Sequence, residues 1–246
     1  MKFFDSNCCL GKLSVPLPDS IETAEELNGL MERAGVDEAL IHHALSKEYN
    51  PTVGNRKILA ETDGHDNLHP CWTLLPHHTG EMPPAADLVE QMTAAGVRAA
   101  RLFPKAHNWT LAEWCAGDLL RALEQAAIPL FLDCDQIDWN QVHSLAGEHP
   151  GLTFVLIGVP FRFSRQVYAL LAETSNVYIE TSLFQLHGGI EDVCARFGAA
   201  RLLFGTAAPH FKMAPSVMAV RYTGISEKEK AMIAGGNLRK LLESAR

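Results

Sequence analysis

Short apolar runs rich in β-branched and aromatic residues alternate along the whole chain with longer segments of helical period. A few apolar residues between turn formers are typical of a buried strand, whereas apolar positions three and four apart are typical of a helix. The pattern predicts eight strands, at Lys2–Asn7, Glu38–His43, His69–Leu75, Ala99–Pro104, Leu130–Asp135, Thr153–Gly158, Val177–Ser182 and Leu202–Thr206. The predicted helices are Ile21–Ala34, Arg56–Asp63, Ala85–Ala95, Leu111–Ala126, Trp139–Glu148, Ser164–Glu173, Ile190–Phe197, Ala214–Tyr222, Glu227–Ala234 and Asn237–Ser244.

Strict alternation of strands and helices indicates parallel strands joined by helical crossovers. Eight such units favour a closed (β/α)8 TIM barrel in the α/β class, a single domain over residues 1–246, with an open doubly wound sheet as the alternative. Helix ends agree with these boundaries: Asp19 and Ser20 precede the first helix, and Gly35 and Gly96 follow helices where C-terminal caps belong.

Composition narrows the kind of protein further. The chain has 246 residues and a net charge of −8, which argues against nucleic acid and anionic membrane as partners. It has no apolar run long enough for a membrane span, and its first residues, with an early Asp5, are unlike a signal peptide. Six cysteines without a C-x-x-C pair predict reduced thiols in a cytoplasmic protein. The expected partner is a small-molecule ligand, and the sequence does not decide whether the protein forms a homo-oligomer.

A barrel places its chemistry at the carboxyl ends of its strands, and side chains two apart on a strand share a face. We therefore predict three catalytic carboxylates, Asp5, Asp133 and Glu180, because neighbouring carboxyl groups can act as acid and base when their pKa values differ. Seven further residues at or near the strand ends are predicted to bind substrate: Asn7, Cys9, His43, Arg101, Asp135, Arg162 and His210.

Each of these residues also has a structural interpretation. Arg101 can clamp a substrate carboxylate or form a salt bridge with a carboxylate at the barrel mouth. Cys9 can be a nucleophile, although a buried inert thiol is commoner for a cysteine without a partner nearby in sequence. Adjacent histidines such as His42 and His43 face opposite sides of a strand, so at most one of the two points inward.

Four segments together resemble the amidohydrolase-related family of metal-dependent hydrolases. Phe4–Gly11 is similar to its opening Asp-x-His-x-His strand, and Ile128–Asp133 to its Ile-Pro strand that ends in His. Leu203–Pro209 resembles its Phe-Gly-Ser-Asp-x-Pro motif, and Ile233–Leu242 its closing Gly-Asn-x-x-Arg/Lys-Leu-Leu helix. The resemblance covers nearly the whole chain and implies a hydrolase or decarboxylase acting on a small, often carboxylated molecule.

The resemblance also implies a metal site whose ligands differ in this chain. Where the family has four histidines and an aspartate, this sequence has Asn7, Cys9, Asp133, Gly158 and Ala207. Glycine and alanine offer no donor atom, so we predict no cofactor and no zinc-bound hydroxide. A non-standard divalent metal held by Asp5, Asn7, Cys9 and Asp133 is the weaker alternative, because thiolate and carboxylate favour different metals.

Two functions follow from these observations. The first is a divergent hydrolase or lyase on a small polar or carboxylated molecule, in which Arg101 binds and a carboxylate or histidine transfers a proton. The second is a non-catalytic relative that binds a ligand or a protein at the barrel mouth.

Overall fold

The computed structural model describes residues 1–17 and 20–246 and contains nine parallel strands. In chain order they are β1 (Phe4–Leu10), β2 (Glu38–His43), β3 (Leu68–Pro70), β4 (Trp72–Thr73), β5 (Ala100–Leu102), β6 (Leu130–Asp133), β7 (Phe154–Ile157), β8 (Val177–Glu180) and β9 (Leu202–Leu203). Strands β1 to β3 pair in order, as do β4 to β9.

Backbone hydrogen bonds join these two ladders into one closed barrel. At Cys71, between β3 and β4, the chain changes neighbours: Cys71 N–H donates to Ile41 O (2.7 Å), and Trp72 N–H donates to Ala99 O (3.1 Å). On the opposite side, Ser6 and Cys9 donate to the segment that follows β9. The predicted (β/α)8 TIM barrel is confirmed, with β3 and β4 together serving as its third strand.

The described helices surround the barrel and largely follow the predicted periods. They are α1 (Ala24–Ala34), α2 (Ala44–Glu48), α3 (Pro51–Thr62), α4 (Ala85–Ala94), α5 (Glu113–Gln125), α6 (Trp139–Glu148), α7 (Ser164–Glu173), α8 (Gly189–Phe197), α9 (Met213–Tyr222), α10 (Glu227–Ala231) and α11 (Asn237–Ser244). A π-helical turn, Met232–Gly236, joins the last two. None of the helices in the described ranges combines the length and the apolar composition that a bilayer span requires.

Several predicted boundaries are wrong for local reasons. Helix α1 begins three residues later than predicted, because Thr23 caps it and forms a capping box with Glu26. Asp19, the predicted start signal, lies outside the described residues. Gly35 does end α1 in a left-handed conformation, as predicted. Helix α3 begins earlier than predicted, with Asn50 as its cap, and the short helix α2 was not predicted.

The strands alternate between an inner and an outer apolar layer. On β7, for example, Val155 and Ile157 belong to a small cluster inside the barrel, whereas Phe154 and Leu156 pack outward in the main core. Leu238 and Leu242 of α11 pack against the inner cluster and close the amino-terminal end of the barrel. The carboxyl-terminal end remains open, and this is where a barrel of this class places its binding residues.

Candidate functional site

A cavity of about 530 Å³ lies at the carboxyl-terminal end of the barrel. Its size falls in the range of small-molecule sites, about 300–1,000 Å³. Both polar and apolar residues line the wall: Asn7, Cys9, Leu13, His42, Ala44, Lys47, Glu48, Arg101, Asp133, Cys134, Asp135, Ile157, Gly158, Pro160, Arg162, Phe163, Leu183, Ala207, Ala208, His210 and Phe211.

Arg101 is the centre of the polar wall. It follows the inward-facing Ala99 by two residues, so its side chain points into the barrel, where it is 6% exposed. Its Nε donates to Asp133 Oδ1 (3.0 Å), and its Nη2 makes a second, very short bond to the same oxygen. Its Nη1 donates to Asn7 Oδ1 (3.1 Å) on the far side of the barrel and lies 3.1 Å from His42 Nδ1. The guanidinium therefore links three strands.

Asp133 is shared by two cations. Lys47 of α2 places its Nζ 3.6 Å from Asp133 Oδ2, on the side of the carboxylate away from Arg101. The same ammonium lies 5.0 Å from the centre of the Phe103 ring. One carboxylate thus faces two positive charges, and two further carboxylates, Glu48 and Asp135, also line the cavity.

Asn7 connects Arg101 to a buried carboxyl group beneath the cavity. Its Nδ2 donates to Glu180 Oε2 (3.2 Å), which also accepts from Gly158 N–H (3.2 Å) and Ser182 Oγ (2.7 Å). Burial raises the pKa of Glu180 to about 7 despite these bonds. Glu180 is fully buried and is absent from the described cavity lining, so its predicted direct contact with substrate does not agree with its position.

Glycine at position 205 makes room for this carboxyl group. A Cβ atom there would lie 2.2 Å from Glu180 Oε1, so any larger residue would displace the side chain. The glycine of this Phe-Gly dipeptide is therefore required in this chain for a steric reason.

Asp5 also lies behind the cavity wall rather than on it. The register of β1 shifts between Asp5 and Cys8, so Asn7 and Cys9 face the cavity while Cys8 packs outward. Simple strand alternation would place Asp5, Asn7 and Cys9 on one face, and the register shift breaks this pattern. Asp5 accepts bonds from the backbone of Asn7 (2.9 Å) and of Thr206 (3.0 Å), and burial raises its pKa. It ties β1 to the loop after β9.

His42, which the sequence did not select, lines the cavity, whereas His43 does not. His43 Nδ1 accepts from Leu45 N–H (3.1 Å) and caps α2, and a Cβ at Gly11 would lie 2.5 Å from its ring. The predicted substrate-binding residue His43 does not line the cavity, because β2 turns its side chain away. Strand alternation could identify one inward histidine of the pair but not which one.

The environment of His42 keeps its imidazole neutral. Burial, followed by the charges of Arg101 and Lys47, holds its pKa well below the usual value. Its Nδ1 lies 3.0 Å from Cys8 O and 3.1 Å from Arg101 Nη1, and a single nitrogen can bond well to only one of these in a given tautomer. Its Nε2 has no hydrogen-bond partner among the described residues and belongs to a side chain that lines the cavity.

The two thiols on the cavity wall are poor nucleophiles. Burial raises the pKa of Cys9 to about 12, and burial followed by Asp135 raises that of Cys134 to about 11. Cys134 Sγ donates to Gly158 O (2.9 Å). A thiol with such a pKa is almost entirely protonated at neutral pH, so the structural interpretation of Cys9 fits this environment better than the nucleophilic one.

Asp135, Arg162 and His210 lie at the exposed rim of the cavity. Arg162 has neither a hydrogen bond nor an ion pair with the described part of the chain. Burial, followed by the charges of Lys47 and Arg101, lowers the pKa of His210. Both histidines are thus affected first by burial and then by the same two cations, and at His210 the charges of Glu48 and Asp133 act in the opposite direction.

The structure changes which residue stands at one of the metal-ligand positions that the family resemblance implies. On β7 the inward side chain beside Asp133 is Ile157, whereas Gly158 has a left-handed φ of 65° and donates its backbone N–H to Glu180. Ala207 also lines the cavity. Neither Ile157 nor Ala207 carries a metal-binding atom.

A different group has donor atoms at suitable spacing for a metal. Among the described residues, Glu113, Glu148 and His149 hold ligand-type atoms within 4.8 Å of one another, on α5 and at the end of α6. None of the three lines the cavity. His149 Nε2 and Nδ1 lie 2.8 Å and 3.2 Å from the carboxylates of Glu113 and Glu124, and this buried contact joins the two helices.

Comparison with known proteins identifies the family. A family model described as Amidohydrolase matches residues 72–243, which is more than half of the chain. The chain therefore belongs to the amidohydrolase family, as the sequence motifs predicted. The matched segment contains Arg101, Asp133 and Glu180 and excludes Asn7 and His42. No curated protein matches this sequence.

Solved structures agree on the fold at low identity. An uncharacterised TIM-barrel protein from Bordetella bronchiseptica is 18% identical, with a TM-score of 0.80 over 99% of both chains. A 5-carboxyvanillate decarboxylase from Novosphingobium aromaticivorans, complexed with manganese and 4-hydroxy-3-methoxy-5-nitrobenzoic acid, is 11% identical, with a TM-score of 0.79 over 98% of this chain and 96% of that one. A 2,6-dihydroxybenzoate decarboxylase from Rhizobium is 14% identical, with a TM-score of 0.74 over 98% of both chains.

Proposed function

We propose that this protein is a hydrolase or lyase that binds a small carboxylated molecule at the barrel mouth. The observation that carries the proposal is the shared carboxylate: Arg101 and Lys47 both face Asp133, which can neutralise only one of these two cations. Arg162 adds a third cation to the cavity lining, and Glu48 and Asp135 add two further carboxylates. Two structural neighbours are decarboxylases of aromatic acids, which agrees with a carboxylated substrate.

The cavity lining combines charged and apolar side chains, which suits an amphipathic anion. Besides the cations, the wall contains Leu13, Ile157, Phe163, Leu183 and Phe211. Burying an apolar ring against such a wall adds roughly 25 cal/mol per Å² of apolar surface. A carboxylate at the cationic end would fix the orientation of the ligand, and the apolar end would supply much of the affinity.

His42 is the residue best placed for proton transfer in this proposal. Its imidazole is neutral, and its Nε2 is free of partners among the described residues. A neutral imidazole can accept a proton from a substrate or from an attacking water and return it to a leaving group. Glu180 then serves as a positioning residue, since it orients Asn7 from behind the wall.

The side chains at the mouth do not suit a divalent metal, so the proposed function uses none. Asn7 Oδ1 and Asp133 Oδ1 already accept from Arg101, and among the described residues the one group of three ligand-type atoms within 4.8 Å lies at Glu113, Glu148 and His149, away from the mouth. Two unit charges about 4 Å apart interact by about 4 kcal/mol at an effective dielectric constant of about 20, and a divalent ion beside the guanidinium doubles that repulsion. The proposal includes a cytoplasmic location and no nucleic-acid or membrane partner, in line with the net charge of −8.

Matched fragments test the proposal. Phthalate, benzoate and benzamide have similar rings but two, one and no negative charges, and binding can be followed by ligand-observed NMR. We expect phthalate to bind tightest and benzamide weakest, with Lys47→Met weakening benzoate by about tenfold, or 1.4 kcal/mol. The control Lys228→Met removes an exposed lysine of α10. Equal binding of benzoate and benzamide would refute the carboxylate preference.

A further inference from the structure

The guanidinium of Arg101 lies between two positions at which the family resemblance implies metal ligands. Those positions are held by Asn7 on β1 and Asp133 on β6, and Arg101 bonds to both, at 3.1 Å and 3.0 Å. A metal ion bound to side chains at these positions would lie about 2.0–2.3 Å from their donor atoms. The guanidinium nitrogens therefore occupy the volume that such an ion would need.

We propose that Arg101 is the resident cation of this site and takes the electrostatic role of a divalent metal. This inference takes its ligand, a carboxylate, from the proposed function. The geometry of Arg101 does not depend on that function. Arg101 and Lys47 together carry two positive charges around Asp133, which equals the formal charge of a divalent ion. The cation is covalently attached to β5, so it needs no loading from solution.

The surroundings of Arg101 hold it in one orientation. Asp133 fixes one edge of the planar guanidinium through two bonds, and Asn7 fixes Nη1 from the opposite side of the barrel. Asn7 is itself held by Glu180, so its amide oxygen is directed at Arg101. The Phe103 ring lies 5.3 Å from the guanidinium carbon. A cation fixed in this way is preorganised for a substrate carboxylate.

At least one N–H of Arg101 remains for the ligand. A guanidinium has five donors. Nε and one hydrogen of Nη2 face Asp133, and one hydrogen of Nη1 faces Asn7. The other hydrogen of Nη1 faces His42 Nδ1, which does not accept it in the tautomer that leaves Nε2 free to act as a base. The second hydrogen of Nη2 has no partner among the described residues. The geometry thus leaves at least one charge-assisted donor for a carboxylate oxygen.

The first arm of the test uses no ligand. Cobalt(II) is added to the full-length wild-type protein, and its d–d absorption and the melting temperature are recorded. We expect no stoichiometric absorption band and no rise in melting temperature. A one-to-one band that Asp133→Asn abolishes would place a metal at the mouth and overturn the proposal. A band that Glu148→Gln abolishes, with Asp133→Asn unchanged, reports the separate α5–α6 group and leaves the mouth metal-free, as proposed.

The second arm measures benzoate binding with EDTA and with manganese(II). We expect dissociation constants that agree within about twofold, a loss of about tenfold or more in Arg101→Met, and a smaller loss in Arg101→Lys. Arg98→Met is the matched control, since Arg98 is exposed just before β5 at the other end of the barrel. If Arg101→Met does not fold, Lys47→Met tests the same pair of charges.

The two arms separate the inference from the proposed function. Benzoate binding that requires manganese(II) would overturn the role of Arg101 while keeping the carboxylate ligand. Absence of benzoate and phthalate binding under both conditions, together with no cobalt band, would refute the proposed ligand while supporting a metal-free mouth.

Discussion

The two ends of the barrel each hold an arginine–carboxylate pair, and their surroundings differ. At the mouth, the side chains of Arg101 and Asp133 are 7% and 14% exposed and border a cavity. At the closed end, the side chains of Arg239 and Glu38 are 36% and 24% exposed, and the Arg239 guanidinium lies over the Phe4 ring. The chemistry of the pairs is the same, so differences in behaviour must come from burial and neighbours.

Burial makes the Arg101–Asp133 pair at the mouth costly to form, because both charges lose water. It also makes the pair costly to disrupt, because a lone charge would stay buried. Removing charges from water costs several kcal/mol per ion, and a pair recovers this only with good geometry and additional hydrogen bonds. Arg101 donates such a bond to Asn7, whereas Arg239 is partly solvated. A costly buried pair beside an open cavity is typical of a functional site, whereas a solvated pair over a packed floor contributes mainly to the surface of the fold.

The largest expected effect is the loss of one partner from each pair. Asp133→Ala leaves the buried guanidinium of Arg101 without its carboxylate, so we expect a loss of about 3–5 kcal/mol in the free energy of unfolding. Glu38→Ala should cost about 1 kcal/mol or less, because Arg239 can be hydrated. Urea denaturation measures both. Equal losses would show that the two pairs do not differ and would remove the basis of the comparison.

The carboxyl groups at the two ends should also respond to pH with opposite sign. Burial raises the pKa of Glu180 to about 7, above the ordinary 4.5. At Glu38 burial is outweighed by the bonds from Arg239 and His69, and its pKa is lowered. Because folded Glu180 retains a proton that the unfolded chain releases, its contribution to stability is full below pH 4.5 and is lost as the pH rises to about 7. The Glu38 contribution is present above its unfolded pKa and is lost in acid.

This second effect should reach about 3.5 kcal/mol for Glu180, because the pKa rises from 4.5 to about 7 and each pKa unit corresponds to about 1.4 kcal/mol. The measurement is the free energy of unfolding from pH 4.5 to 8 in wild type and in Glu180→Gln. Buried histidines with lowered pKa contribute a slope of the opposite sign, so the difference between the two proteins isolates Glu180. A difference that does not change with pH would contradict the raised pKa, and Glu38→Gln serves as the control at the closed end.

A smaller effect concerns the potential inside the mouth. The pKa of His210 is lowered by burial, then by Lys47 and Arg101, so Lys47→Met should raise it. Saturation of the site with benzoate should raise it as well, because the anion offsets the same charges. NMR titration of the imidazole protons measures both shifts, with Lys228→Met as the control. An unchanged His210 pKa in Lys47→Met would mean that solvent screens the cavity and would weaken the case for an anionic ligand.

The barrel was predictable from sequence because eight apolar runs and the helical periods between them repeat with little interruption. Errors arose where a short-range interaction overrides the period. Thr23 delays α1 through its capping box, and Asn50 starts α3 early. The strand predicted at His69–Leu75 is divided because the chain changes partners at Cys71. Such effects depend on hydrogen bonds rather than on hydrophobic spacing.

The site was predictable in location and only partly in composition. Arg101 and Asp133 were expected on the inward face, and they meet there. Alternation failed on β1, where a register shift turns Asp5 away from the face of Asn7. Lys47 was missed because it belongs to α2, a single short helix with no periodic signal. Contacts that cross the barrel, such as the bond from Asn7 to Glu180, have no local signature at all.

The smallest expected effect is that of Cys9→Ser. Cys9 lines the same cavity as Arg101, but burial raises its pKa to about 12, so the thiol stays neutral and contributes neither charge nor nucleophile. We expect benzoate affinity to change by about twofold or less, which corresponds to roughly 0.4 kcal/mol. Iodoacetamide should leave Cys9 unmodified at pH 8 in the folded protein, as peptide mass spectrometry can show. Rapid alkylation of Cys9, or a large loss of affinity in Cys9→Ser, would mean that the thiol is ionised by the cations beside it. The mouth would then be a nucleophilic site as well as an anion-binding one.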